Sequence, residues 1–218
     1  ELSDSVDVLF VDESGQMSLA NVLAVAQSAR SVVLLGDPQQ LDQPLKGSHP
    51  EGTEVSALQH LLGDKQTIPA DRGLFLAETW RLHPTICAFT SEVFYEDRLR
   101  SRPDLGRQTL SAESPFAAAG LWFVPVDHEG NQNSSIEEAD RVAELHTSLV
   151  SGDLTWTDRE GNVSPVISDD VLIVAPYNAQ VGALGERLPN ARIGTVDKFQ
   201  GQEAPIVIYS MAASTPEE

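Results

Sequence analysis

The sequence predicts an α/β chain built on parallel sheets. Three observations carry this. Short apolar runs rich in β-branched residues, Val8-Leu9-Phe10-Val11, Val32-Val33-Leu34-Leu35 and Val171-Leu172-Ile173-Val174, read as strands buried on both faces. Stretches with apolar residues at helical spacing lie between them. Each run stops at polar or turn-forming residues, and strand-helix alternation of this kind defines a doubly wound architecture.

The bulk numbers bound the rest. A chain of 218 residues allows about 1.5 domains. Hydrophobic residues at 41% and charged residues at 22% fit an ordinary globular protein, and no run reaches the ~18 apolar residues of a membrane span. The start, ELSDSVDV, shows no secretion signal. One cysteine, Cys87, excludes an internal disulfide, so a reducing cytoplasm is expected, with Cys87 a buried, inert thiol. Acids outnumber bases 33 to 14, a net charge of -19, so any grip on nucleic acid must be local or lie elsewhere.

In order, Ser18 caps a helix ending near Arg30, carried by Leu19, Val22, Leu23, Val25, Ala26 and Ala29. The second run then completes a βαβ unit with parallel strands. Residues 42–73 read as loop around a helix at 55–62, and residues 74–77 as a strand. Pro84 opens a helix whose apolar face is Ile86, Phe89, Val93 and Phe94. The domain boundary falls just before Trp80, giving segments 1–78 and 79–218. Residues 98–120 read as irregular. Their arginines, Arg98, Arg100, Arg102 and Arg107, are either a solvated helix exit or a nucleic-acid contact. Residues 121–126 read as a strand. Ser135 and Glu138 form a capping box for a helix reaching Val150. A loop or hairpin at 151–169 precedes the third run, and a helix at 179–188, a strand at 192–196 and a strand at 206–209 complete the second segment.

The chemistry gathers at the strand ends. Asp12 and Glu13 follow the first run, at the carboxyl edge where parallel sheets place ligands. Such a pair suits a nucleoside triphosphatase, one acid for magnesium and the next for the attacking water. It also reads as a solvated turn. Asp37 to Gln40 follow the second run on the same edge. The five histidines are scattered, and with one cysteine they make no metal cluster. His83, before Pro84, caps or packs.

Six stretches in order, VDESGQ (11–16), GDPQQL (36–41), TWRLHP (79–84), FYEDRL (94–99), APYNAQ (175–180) and GTVDKFQGQE (194–203), resemble the superfamily 1 helicases. The subgroup is the one holding the nonsense-mediated-decay and Okazaki-processing enzymes. More narrowly, the chain looks like the motor part of bacterial proteins that fuse a RecB-like nuclease to such a helicase. The resemblance implies a RecA-like P-loop NTPase fold: the end of the first RecA-like domain at 1–78 and most of the second at 79–218.

It further implies ATP and Mg2+ as cofactors and single-stranded nucleic acid as partner, DNA rather than RNA, although contacts to backbone phosphates distinguish the two poorly. Asp12 would hold the metal, Glu13 would orient the water, and Gln40 would touch the γ-phosphate. Arg81 would act as an arginine finger from the second lobe. Trp80 would stack on the base, where the family usually has Tyr. Glu203 would meet the ribose, with Gln200 and Gly201 beside it. Pro176, Tyr177, Asn178, Gly194, Thr195 and Lys198 would meet the strand's backbone. Other readings stand beside these: Trp80 as core, Tyr177 as a strand-end cap, Lys198 and Gln200 as ordinary surface, Asp197 as a buried turn acid.

The sequence departs from the family in holding no GxxxxGK[ST], in Ala204-Pro205 after Glu203, and in stopping before the last motif with its second arginine. These departures predict a piece of a longer protein that hydrolyses ATP negligibly by itself. The leading expectation is an ATP-driven helicase or translocase segment. The runner-up is a nucleotide-gated binding module that moves no strand, and the third is an inert scaffold for a fused nuclease.

Overall fold

The computed structural model describes residues 5–40, 55–111, 116 and 118–215. Expectations for residues 41–54, among them Leu41 of the GDPQQL stretch and the turn residues Pro44, Gly47, Pro50 and Gly52, lie outside the described residues. The chain forms two compact units, Glu1–Thr79 with Cys87–Arg100, and Trp80–Ile86 with Ser101–Glu218.

In the first unit, β1 (Val6–Val11) and β2 (Ala29–Leu34) pair in parallel through α1 (Leu19–Ala26), as the βαβ pattern predicts. Ser18 caps α1 by accepting from the Asn21 N–H. The helix ends at Ala26 rather than near Arg30. There Ser28 Oγ donates to the Val25 carbonyl at 2.7 Å and the chain turns directly into β2, which takes Ala29 and Arg30. Ser56 caps α2 (Ala57–Leu62) by accepting from the Gln59 N–H, and Val11, Val22 and Ala57 form a small core with Leu9, Met17, Leu19 and Leu34.

The expected burial on both faces fails for β2, where Val32 and Val33 are exposed with Leu35 just beyond it, and for β1, where Val6, Val8 and Phe10 are exposed and only Val11 is buried. The alternation of β1 sends Leu9 and Val11 to the core and the other three to the opposite face. The strand expected at 74–77 is also absent, with Leu74 and Leu76 exposed, and β3 is the two-residue Glu78–Thr79. Helix α3 (Pro84–Phe94) begins at Pro84 as expected. Its expected apolar face is wrong: Phe89, Val93 and Phe94 are exposed, and the small residues Cys87 and Ser91 are the buried ones. Burial pushes the Cys87 thiol up, in keeping with an inert role.

The second unit begins with β4 (Arg100–Ser101) at its margin, a 3-10 turn at Pro103–Arg107, and β5 (Thr109–Leu110). Strand β5 joins the antiparallel hairpin β6 (Thr155–Thr157) and β7 (Val163–Pro165), which resolves the loop-or-hairpin choice. Residues 121–126 lie in no strand. Leu121 and Phe123 are exposed, and apolar character cannot substitute for a neighbouring backbone to pair with.

Helix α4 (Ile136–Val150) buries Ala139, Val142, His146 and Leu149. Its core partners include β8 (Val171–Val174), buried along its whole length, and Leu184 of α5 (Asn178–Arg187). Strand β8 lies between β9 (Arg192–Gly194) and β10 (Ile206–Tyr209), all parallel. The strand expected to reach Val196 stops at Gly194, because Thr195 already occupies the N-cap position of α6 (Val196–Phe199), without a side-chain cap bond.

His146 sits in this core, 6% exposed, with Nε2 3.1 Å from Ser168 Oγ. Burial holds its imidazole below the ordinary value of 6.5. The unfolded chain therefore binds the proton more readily, and the stability from the neutral ring is present above about pH 6.5 and lost as pH falls toward the folded value. His146→Gln is expected to show a smaller fall in urea midpoint than the parent between pH 7.5 and 5.5. Identical falls would refute this.

Candidate nucleotide and nucleic-acid sites

The first unit assembles its polar residues at one strand edge. Val11 pairs with Leu34, the Leu35 N–H donates to the Val11 carbonyl, and Ser14 donates to the Leu35 carbonyl from both N and Oγ at 2.8 and 2.7 Å. A Cβ on Gly15 would lie 2.0 Å from the Asp37 carbonyl oxygen, so only glycine lets the two strand exits touch.

Asp12 and Glu13 stand exposed on this edge. Glu13 has φ +53°, a left-handed conformation costing a non-glycine residue about 1–3 kcal/mol, and such strain concentrates at functional positions. Gln40 lies on the same edge, its Oε1 accepting from Gln16 Nε2 at 2.9 Å. Asp37 Oδ2 accepts from the Tyr95 hydroxyl at 2.6 Å, and burial with this bond holds the phenol proton on Tyr95. Behind it, Arg98 donates to Thr67 Oγ1 and the Ile68 carbonyl and lies over the Phe75 ring, while Thr67 bonds Glu96. The FYEDRL stretch thus braces the Asp37 tip. Gln16 and Tyr95 were not singled out in sequence as site residues, since each partner is distant along the chain.

Among the described residues no three His, Cys, Asp or Glu side chains gather to hold a metal unaided. The fit to magnesium is of another kind. A nucleotide-bound Mg2+ takes one or two protein carboxylates, with phosphates and waters completing its octahedron. Asp12 offers such a carboxylate in the open.

The second unit uses two edges of its sheet. At the amino ends of the strands, Arg81 Nε lies 2.5 Å from Glu203 Oε2. Trp80, beside Arg81, is 62% exposed, which excludes its reading as core. Arg102 lies 3.7 Å over the Trp80 ring. Gln200 and Gly201 precede Glu203, with Gly201 at φ +76° making the turn. His83 resolves as a cap, its Nδ1 accepting from the Thr85 N–H. Asp197 is exposed, contrary to the buried turn acid. It leads a one-turn helix and needs no burial there.

At the carboxyl edge, Pro176, Tyr177 and Asn178 follow β8 while Gly194 and Thr195 follow β9, side by side because Val174 pairs with Gly194. Pro176, Tyr177 and Asn178 are exposed. Tyr177 occupies the N-cap position of α5 without a side-chain cap bond. Lys198 folds back over Gly194 and donates from Nζ to the Ile193 carbonyl at 2.7 Å. The four arginines at 98–107 do not act as one patch. Arg98 is structural and Arg102 covers a ring.

A polar knot backs this edge. Glu138 accepts from Ser210 Oγ and the Ala212 N–H and bonds His128, whose other nitrogen meets Ser214 Oγ. Gln180 donates to Ser210 Oγ and the Ser135 carbonyl, and its Oε1 accepts from the Ser135 N–H. The capping box is therefore half right: Ser135 caps the Glu138 N–H at 3.1 Å, but the Glu138 carboxylate turns inward to this knot.

Small parallel sheets, flanking helices and polar strand edges define a mixed α/β protein of the kind that fits a P-loop NTPase-like fold. The match extends to a family: residues 53–218 fit the AAA domain family AAA_12, and the chain belongs to it. It is 26% identical to "Probable helicase MAGATAMA 3" of Arabidopsis thaliana over 94% of its length, covering 26% of that protein. It is 27% identical to "DNA-binding protein SMUBP-2" of Rattus norvegicus over 97% of its length, covering 22%. It is 25% identical to "Helicase sen1" of Schizosaccharomyces pombe over 94% of its length, covering 12%. The chain thus spans about a quarter or less of these relatives. They support the resemblance to superfamily 1 helicases. No helix among the described residues is long and apolar enough to cross a membrane.

Proposed function

We propose that this chain is the RecA-like motor segment of an ATP-dependent helicase or translocase working on single-stranded nucleic acid, DNA in the first instance. The observation that carries the reading is the meeting of Arg81 with Glu203 beside exposed Trp80. Three side chains suited to a phosphate, a ribose and a base come together from two distant motifs. In the first unit, Asp12, Glu13 and Gln40 share a strand edge braced by Gln16 and Tyr95.

On this reading Asp12 holds Mg2+, which neutralises phosphate charge when bound. Glu13 orients the attacking water, and Gln40 senses the terminal phosphate. Arg81 compensates charge developing on the transferred group. Phosphoryl transfer needs this positioning and charge compensation rather than covalent help. Gln200, Gly201 and Glu203 flank the sugar. Pro176, Tyr177, Asn178, Gly194 and Thr195 present a polar edge to the sugar-phosphate backbone, with Lys198 near it. These residues contain no phosphate-cradling GxxxxGK[ST] loop, so turnover is expected of a complete gene product and not of the 218 residues alone. A nuclease fused to the same chain belongs to this reading.

The test is strand displacement by the complete gene product with ATP, on duplexes bearing a single-stranded tail. Strand-stimulated hydrolysis with displacement is expected. Nucleotide-dependent binding without movement of the strand would overturn the motor and leave a nucleotide-gated binding module.

A further inference from the structure

Of the arginines at 98–107, Arg102 is the one that meets a candidate site residue. Arg102 lies with its guanidinium carbon 3.7 Å from the Trp80 ring centroid, and its Nε is held by Asp104 Oδ1 at 2.9 Å. We infer that Arg102 is a positioning residue for nucleobase recognition, backing one face of Trp80 so that the other is a fixed stacking surface for a purine. The inference rests on the reading of Trp80 as the base contact.

Several features fix this arrangement independently of any ligand. Arg102 precedes Pro103, which restricts it to extended backbone, observed at φ -65° and ψ 144°. Leu105, 1% exposed, anchors the turn that follows. Ser101 Oγ donates to the Leu82 carbonyl at 2.7 Å, tying the Arg102 strand to the Trp80 stretch. The side chains of Arg102 and Asp104 are only 30% and 35% exposed, whereas Trp80 remains 62% exposed. A large indole is thus clamped on one face and left open.

The electrostatics favour an aromatic ligand on the open face. An indole carries negative potential on both faces, and this opposes face-to-face stacking on another electron-rich ring. A cation held against one face draws that density toward itself and relieves the repulsion on the other. The same contact removes ring rotation that a ligand would otherwise have to freeze. Arg81, the next residue after Trp80, and its ion-pair partner Glu203 are the phosphate- and ribose-directed groups of the proposed reading.

The experiment compares two competitive inhibitors of ATP hydrolysis by the complete gene product: ADP, which carries the base, and inorganic tripolyphosphate, which does not. Arg102→Ala is expected to raise the inhibition constant of ADP about threefold to tenfold and leave that of tripolyphosphate unchanged. Asp104→Asn, which frees Arg102 without touching the ring, is expected to act in the same direction and more weakly. Arg102→Lys should recover part of the loss. Equal weakening of both inhibitors by Arg102→Ala would overturn the inference, because it would show a phosphate or global effect. If Trp80→Ala weakens ADP but Arg102→Ala does not, the inference falls and the base-stacking reading of Trp80 survives. If Trp80→Ala leaves ADP unaffected, both fall together.

Discussion

Replacing Arg81 is expected to lower ATP turnover about 10³-fold or more in the complete gene product, the range seen when a transition-state arginine is removed from related phosphoryl-transfer sites. The loss should appear in kcat, with nucleotide affinity changing much less. Arg81→Lys should not rescue it, since a flexible ammonium cannot reproduce the planar fork of the guanidinium. The Arg81 and Glu203 side chains are 58% and 67% exposed, and ion pairs this open contribute little to stability. Arg81→Lys retaining more than about a third of the parental kcat would remove Arg81 from the chemistry.

Glu13→Gln is expected to reduce hydrolysis by about 10²- to 10⁴-fold, the worth of a carboxylate that orients or deprotonates water. The amide preserves shape, so ATP and strand binding should persist and the bound state should accumulate. Glu13 is well placed for this role, projecting from a strained residue at φ +53° whose neighbours are fixed by the Ser14 bonds to Leu35 and by Gly15 against Asp37. The measurement is single-turnover hydrolysis alongside equilibrium binding. Turnover within fivefold of the parent would return the acidic pair to the status of a solvated turn.

Much of the framework was legible because its signals are local. The apolar runs at Val171–Val174 and Ile206–Tyr209, the Pro84 helix start and the Ser135 cap each declare themselves within a few residues. The shared edge of Asp12, Glu13 and Gln40 followed from the parallel βαβ rule.

The failures concern what lies opposite. An apolar run states that burial is favourable, but not which face finds a cover, and Val8 and Phe10 lie on the uncovered one. Residues 121–126 have strand composition but pair with no strand among the described residues. Glu138 has the spacing of a capping acid, yet its carboxylate prefers Ser210 and His128, whose positions only the folded chain reveals. Arg102 looked like surface for the same reason. Its neighbour Trp80 is remote in sequence.

The polar knot behind the second unit's carboxyl edge bears on how this sequence can diverge. Glu138, His128, Ser210, Ser214, Gln180 and Ser135 satisfy one another, and changing one member strands a desolvated donor or acceptor on another. Drift through these positions is thereby channelled into paired or triple exchanges, and a lineage losing one member should show compensation at its neighbours rather than a lone replacement.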